Sequence, residues 1–531
     1  MKFLLSLLLT FPLSLLAQPS LDSVNLRVQT TAGTLQGIYE SGIRIFRGVP
    51  FAQPPVGELR WQAPQPVQAW EGVRQADAFG PRAMQRFIFS DMNFRSDGVS
   101  EDCLYLNVWT PAQSEDEKLP VLVYFYGGGF VAGDGSEYRY DGESMARQGI
   151  VTLTVNYRLG AFGFFAHPEL TRESPHGASG NYGLLDQTAA LRWVHDNIAA
   201  FGGDPDRVTI AGESAGSFSV SAQMASPLAR DLIAGAIGES GSLLGSSRVI
   251  TLAEAEQVGE AFAKLVDAPS LAALRSLPAD TLLAATAHAD APRFTVTIDG
   301  FFFPQSPDTI YAAGQQAPVP LLLGWNSAES SYQGLLGDQE PSPENYAAQV
   351  KELYGDQAAG ILQRYPGTTR EEVMQSATDL ASDRFIGFGT WKWGQVHTQT
   401  SDQPVYRYYY TRPRPPGRPS EAEDAVASAE AGAAVTAPSP PPGAVHSAEI
   451  EYALGNLPTN RVFDWQPEDY RVSAIMQGYF VNFIKTGDPN GLGLPQWPAA
   501  DAQNLSPVMY IGVPTRAQPA PHPERYRLLD Q

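Results

Sequence analysis

The chain has 531 residues and a mass of 57.4 kDa, with 43% hydrophobic, 11% aromatic and 18% charged residues. That composition excludes wholesale disorder, collagen and coiled coil. A formal net charge of −21 repels phosphate backbones and anionic lipid, so no nucleic-acid partner is expected.

At the N-terminus, Met1–Lys2, the apolar run Phe3–Leu16 and then Ala17 have the layout of a secretory signal peptide over residues 1–17. The run is too short to span a bilayer. A secreted or periplasmic protein is therefore expected. Arg525–Gln531 carries no hydrophobic tail, so no membrane anchor is expected either. The single cysteine, Cys103, rules out an intrachain disulfide and reads as a buried small hydrophobe.

Fold signals begin near Val28. Gly42–Gly57 is rich in Gly and Pro and reads as a loop joining short strands. Leu119–Tyr126 and Val151–Tyr157 are continuous apolar runs, which suit strands buried on both faces of a parallel sheet. Asn181–Ala200 repeats its apolar residues near helical spacing, and Phe201–Pro205 breaks the pattern. Val208–Ala211 predicts a short strand and Ala215 onward a helix. Pro320–Gly324 and Val405–Tyr410 predict further strands. This alternation predicts an α/β fold, a mostly parallel central sheet flanked by helices, as one domain over residues 18–531. Arg412–Pro442 is built from Pro, Ala, Ser and acidic residues and predicts a mobile, solvated insertion.

Gly212-Glu213-Ser214-Ala215-Gly216 matches G-x-S-x-G between a predicted strand and a predicted helix. A nucleophile elbow requires that setting. A serine hydroxyl is a poor nucleophile until a base takes its proton. In elbow-type sites the acid and then the base follow the nucleophile in the chain. Of seven histidines, His167, His176 and His195 precede Ser214, which leaves His288, His397, His446 and His522. His446 follows the Val405–Tyr410 strand, and Glu329 follows the Pro320–Gly324 strand. Both fall at the carboxyl ends of strands, where α/β sheets place their sites. Other carboxylates stay open on this reading. Gly127-Gly128-Gly129 follows the Leu119–Tyr126 strand, where converging amides, with that of Ala215, suit an oxyanion hole. Gly127–Ala132 also fits the dinucleotide fingerprint G-x-G-x-x-A. The following Gly133-Asp134-Gly135-Ser136 is a poor helix start, and no acidic residue ends the next strand, so this reading is set aside. Metal motifs and basic stripes with interleaved aromatics are absent, so neither metal nor cofactor is expected.

Taken together, several ordered stretches resemble the type-B carboxylesterases, the cholinesterase-like branch of the α/β-hydrolases. They include Phe46–Ala52, Leu59-Arg60-Trp61, Glu101–Asn107, Tyr126–Phe130, Asn181–Gln187, Phe201–Pro205, Gly212–Gly216, Gly324–Glu329, His446 with Glu449-Ile450, and Thr486–Asn490. The resemblance runs from about Val28 to about Tyr510. It implies Ser214 as nucleophile, Glu329 as acid and His446 as base, with Gly128, Gly129 and Ala215 as the oxyanion hole and Ser240 close by. It implies a hydrolase that cleaves a small-molecule carboxylic ester through an acyl-enzyme, without a cofactor. A lipase, a feruloyl or polyester hydrolase and a toxin- or drug-ester hydrolase share that chemistry. A catalytically dead binding module would have lost one of the three residues.

The departures from the pattern are also informative. The family pairs the cysteine equivalent to Cys103 with an earlier one, but that stretch reads Gly80-Pro81-Arg82-Ala83 here. The loop from Ala83 to Cys103 is therefore expected to be freer to move. It offers Phe87, Phe89 and Phe94 but no tryptophan, so choline esters are not the expected substrates. No motif sets the natural ester or the oligomeric state.

Overall fold

The computed structural model describes residues 25–245, 249–418, 443–501 and 507–530. The leader expected over residues 1–17 and the 419–442 part of the expected insertion lie outside the described residues.

An eleven-stranded sheet organises the molecule. In chain order its strands are Ile38–Glu40 (β1), Ile43–Pro50 (β2), Tyr105–Thr110 (β3), Leu119–Phe125 (β4), Val151–Val155 (β5) and Gly203–Glu213 (β6). Gly235–Glu239 (β7), Leu321–Asn326 (β8), Val405–Tyr410 (β9), Val508–Ile511 (β10) and Arg516–Gln518 (β11) complete it. Their spatial order is β11-β10-β9-β8-β7-β6-β4-β5-β3-β2-β1. From β5 through β10 every neighbouring pair is parallel, and antiparallel strands close both edges. This is the α/β-hydrolase architecture expected from the sequence.

The central strands are continuous apolar runs because both of their faces are covered. Val121, Leu122, Val123 and Phe125 of β4 and Val151, Leu153 and Val155 of β5 are all buried. Each such side chain contributes ~1.5–3 kcal/mol by leaving water. Four helices supply much of the cover: Tyr182–Asn197 (α1), Ala215–Ala225 (α2), Phe388–Thr400 (α3) and Pro467–Thr486 (α4). Helix α2 packs on β6 and β7, α3 on β8 and α4 on β4. Every residue of α2 is buried, which explains its small Ala, Gly and Ser residues in place of an amphipathic stripe.

Three expectations change. Gly42–Gly57 is not a loop, because Ile43–Pro50 forms a sheet strand. Buried Ile43, Ile45, Phe46 and Val49 outweigh the Gly/Pro punctuation, and Gly48, at φ +66°, absorbs a register shift against β3. The strand around Val208–Ala211 runs from Gly203 to Glu213. Residues 412–418 of the expected insertion are anchored. Arg412 Nε donates to Asp469 at 2.6 Å, Arg414 Nη2 to Glu451 Oε2 at 3.0 Å, and the Arg418 amide to the Val462 carbonyl at 2.9 Å. Asp469 and Glu451 are fully buried, and buried carboxylates require such cations.

The loop after Ala83 lacks the family's disulfide, yet a polar clasp holds it. Gln85 exchanges two hydrogen bonds with Gly133, at 2.8 and 2.9 Å. Ser96 Oγ donates to Asp134 at 2.5 Å, and Arg95 Nη1 pairs with Asp141 at 2.7 Å. Cys103 is buried, and burial pushes its thiol pKa well up, so it packs as a small inert hydrophobe.

Candidate active site

The turn at Ser214 is sharp because β6 passes directly into α2. Ser214 has φ +54° and ψ −119°, a strained conformation for a residue with a Cβ. The flanking glycines follow from crowding. A Cβ on Gly212 would lie 2.5 Å from the Gly216 backbone, and one on Gly216 would lie 2.0 Å from the Phe125 carbonyl oxygen. The x-S-x geometry therefore exists only with both glycines present.

Two loops bring the partners to the serine. Beyond β8 and β9, Ala328 and Val445 form a parallel bridge, the Ala328 amide donates to the Ala444 carbonyl at 2.8 Å, and Asn326 Nδ2 donates to the Val445 carbonyl at 2.8 Å. That zipper sets Glu329 beside His446. His446 Nδ1 lies 2.6 Å from Glu329 Oε2, and His446 Nε2 lies 2.9 Å from Ser214 Oγ. The second carboxylate oxygen of Glu329 accepts from the Asn326 amide and from Ser240 Oγ, both at 2.6 Å. Ser214 is 7% exposed and Glu329 3%, whereas the His446 side chain keeps 26%, so the ring bridges two buried groups and stays reachable from solvent.

The glycine run meets the serine from the other side. A Cβ on Gly127 would sit 3.1 Å from Ser214 Cβ. The amides of Gly128, Gly129 and Ala215 donate to no protein acceptor among the described residues. Tyr126 stacks on Tyr157 at 4.4 Å and accepts the Tyr157 hydroxyl on its carbonyl at 2.7 Å, which fixes the backbone entering the run. No helix follows Gly129 before the short 3-10 turn at Tyr138–Tyr140, unlike the dinucleotide-binding turn.

Sequence reasoning left aside a set of buried acids beneath these residues. Glu213 Oε1 lies 3.3 Å from His446 Nε2. Burial pushes the Glu213 carboxyl up to about 8. Glu239 stands beside Glu213 in the β6–β7 ladder, accepts from the Tyr124 hydroxyl at 3.3 Å, and is pushed well up by burial. Glu449 lies 2.9 Å from Ser240 Oγ and is raised to about 7 by burial and by the charge of Glu329. For His446, burial opposes the charged ring, but Glu213 and Glu329 outweigh it and raise the imidazole to about 9. The signal for Glu213 and Glu239 was visible only as acids preceding Ser214 and Ser240. Their adjacency depends on strand pairing, which one sequence does not display.

The other histidines stay apart from this constellation. His397 is buried, with Nε2 2.9 Å from the Val319 carbonyl, and His288 and His522 lie beside surface acids. Among the described residues, no cluster of three or more His, Cys, Asp or Glu could hold a metal ion, and no helix is long and apolar enough to cross a membrane.

Comparison with known proteins decides the family. The model of the carboxylesterase family matches residues 24–529. The chain belongs to the carboxylesterase family. Fumonisin B1 esterase of Sphingopyxis macrogoltabida is 33% identical over 494 residues, covering 90% of this chain and 85% of that protein. Para-nitrobenzyl esterase of Bacillus subtilis (strain 168) is 33% identical over 494 residues, covering 89% and 92%. Among solved structures, a Geobacillus stearothermophilus carboxylesterase superposes with a TM-score of 0.79 at 30% identity, covering 96% of this chain and 100% of its own. This carboxylesterase is accordingly a carboxylic-ester hydrolase of the α/β-hydrolase fold.

Proposed function

We propose that Ser214 is the nucleophile of this ester hydrolase, His446 its general base and acid, and Glu329 the group that orients the imidazole. Ser214 Oγ attacks the ester carbonyl carbon while its proton passes to His446 Nε2. Glu329 accepts the Nδ1 hydrogen bond, selects the tautomer with Nε2 free, and stabilises the imidazolium that forms. The carbonyl oxygen, now negative, is received by the free amides of Gly128, Gly129 and Ala215. His446 returns the proton to the leaving alcohol oxygen as the C–O bond breaks. Water then gives a proton to His446 and attacks the acyl-enzyme. Collapse frees the acid, and Ser214 recovers its proton.

The observation that carries this reading is the continuous contact from Ser214 Oγ through both ring nitrogens of His446 to Glu329 Oε2. Its test is Ser214→Ala with a p-nitrophenyl short-acyl ester. The variant is expected to keep its melting temperature and lose nearly all turnover. Full activity in the variant would move the nucleophile elsewhere.

Export to the periplasm or the medium belongs to the same proposal. The basic start, apolar run and Ala17 of residues 1–17 support it. Intact mass of the protein recovered from cell fractions tests it, with a mature chain beginning at Gln18 as the expected result. Relatives are named as esterases of fumonisin B1, of cocaine and of para-nitrobenzyl esters, so family membership by itself leaves the substrate arms open.

A further inference from the structure

A cavity of about 590 Å³ opens on Gly129 and Phe130, directly beyond the glycine run that faces Ser214. Most of its wall is apolar: Met84, Phe89, Val131, Leu159, Phe162 and Phe294 all line it. Besides Thr286 and Thr295, two charged residues break that character, Arg86 from the loop after Ala83 and Arg293 from the segment before Phe294. Among the described residues no aspartate or glutamate lines the cavity, in a chain whose net charge is −21. Both arginines are exposed, and neither has a hydrogen-bond, ion-pair or ring partner among the described residues. The nearest acids in sequence are otherwise engaged. Asp91 pairs with Arg139 at 3.1 Å, and Asp290 faces His288 at 3.6 Å.

Most other arginines around this site are bound. Arg60 is held by Glu101, Arg95 by Asp141, Arg139 by Asp91 and Arg158 by Asp186. Two guanidinium groups from separate loops, unpaired and on a cavity without a carboxylate among the described residues, are therefore a specific departure. A guanidinium offers a planar fork of N–H donors that matches a carboxylate. An apolar wall that carries two such forks fits an extended arm that finishes in a negative charge.

We propose that this carboxylesterase selects esters whose acyl or alcohol arm ends in a carboxylate, with the arm lying along the apolar wall and the carboxylate held between Arg86 and Arg293. The proposal rests on the reading of Ser214 as the nucleophile, because Gly129 is what joins the cavity to that residue. It adds a charge requirement that the ester chemistry alone does not contain. The field of the two arginines also works against cationic arms, which agrees with the absence of a tryptophan in the same loop.

The test compares matched esters in two series. One pairs mono-p-nitrophenyl esters of α,ω-dicarboxylic acids with their methyl-capped counterparts. The other pairs acetates of ω-hydroxy acids with acetates of the corresponding neutral alcohols. The wild-type enzyme is expected to favour the acidic member of at least one series by about tenfold or more in kcat/KM, with most of the gain in KM. Added salt should shrink the preference. The double variant Arg86→Gln/Arg293→Gln is expected to bring the acidic-to-neutral ratio near one, and Arg86→Glu/Arg293→Glu to invert it. The ratio is read within each variant, so a general loss of folding or catalysis cancels. Turnover of neutral esters with no acidic preference in either series overturns this proposal and leaves the Ser214 reading standing. No turnover of any ester, acidic or neutral, overturns both.

Discussion

Glu213 Oε1 sits 3.3 Å from His446 Nε2, the same ring nitrogen that faces Ser214 Oγ at 2.9 Å. A buried carboxyl therefore shares the nitrogen that the proposed mechanism makes the acceptor of the serine proton. With Glu329 on the opposite nitrogen, the imidazole lies between two acids, and its proton affinity is raised to about 9. Glu213 is itself raised to about 8 by burial, so the two groups titrate together in coupled steps.

That coupling gives a pH prediction. As the proposed base, His446 works only when neutral, so kcat/KM should rise with pH along a limb above the ordinary imidazole value of about 6.5. Replacing Glu213 by Gln removes a negative charge that favours the imidazolium, so the imidazole releases its proton at lower pH. Glu213→Gln is expected to move the rising limb down by about one unit. A pH profile of kcat/KM for both proteins checks this, and an unmoved limb would remove Glu213 from the titration.

Ser240 makes a second proton argument. Its hydroxyl has one hydrogen, yet Oγ lies 2.6 Å from Glu329 Oε1 and 2.9 Å from Glu449 Oε1. One hydroxyl hydrogen cannot serve both carboxyls at once, and burial with the charge of Glu329 pushes Glu449 up to about 7. Ser240, fully buried, thus holds Glu329 in place through its hydroxyl. Ser240→Ala is expected to lower kcat about tenfold with little change in KM, as loss of one hydrogen bond to a buried charged group implies. Ser240→Thr, which keeps the hydroxyl, should recover most of that rate.

Glu239 tests the cost of burial. It is fully buried, its carboxyl is pushed well up, and Oε2 has no hydrogen-bond partner among the described residues. The folded state keeps the proton while the unfolded chain releases it near the ordinary carboxyl value. The folded state therefore holds more protons, and stability falls as pH rises above about 4.5. Glu239→Gln should melt within a degree or two of the wild type near pH 5 and several degrees higher near pH 8. A melting-temperature difference that stays flat across that range contradicts the argument.

Much of this was legible in the residues. The β4 and β5 runs are apolar throughout because both sheet faces are covered, so their strands could be read directly. Gly212, Ser214 and Gly216 declared the elbow because no larger residue fits beside Phe125. Glu329 and His446 could be placed at strand ends, but their contact depends on the Ala328–Val445 zipper between segments 117 residues apart. Strand β2 was hidden by Gly48 and Pro50, which are turn residues by composition and a bulge and a strand end in fact. Several resemblance stretches turn out to be scaffold. Arg60 forks onto both oxygens of Glu101 at 2.6 Å, and Arg158 onto both oxygens of Asp186 at 2.8 and 2.7 Å. Pairing across 41 and 28 residues leaves no local trace in one sequence.

The most direct test of the central claim is peptide mass mapping after reaction with a fluorophosphonate, compared between the wild type and His446→Ala. The account predicts one phosphonyl adduct, on Ser214, forming rapidly in the wild type and at least a thousandfold more slowly without the imidazole. An adduct on a different serine, or equally fast labelling of Ser214 in the absence of His446, would contradict it.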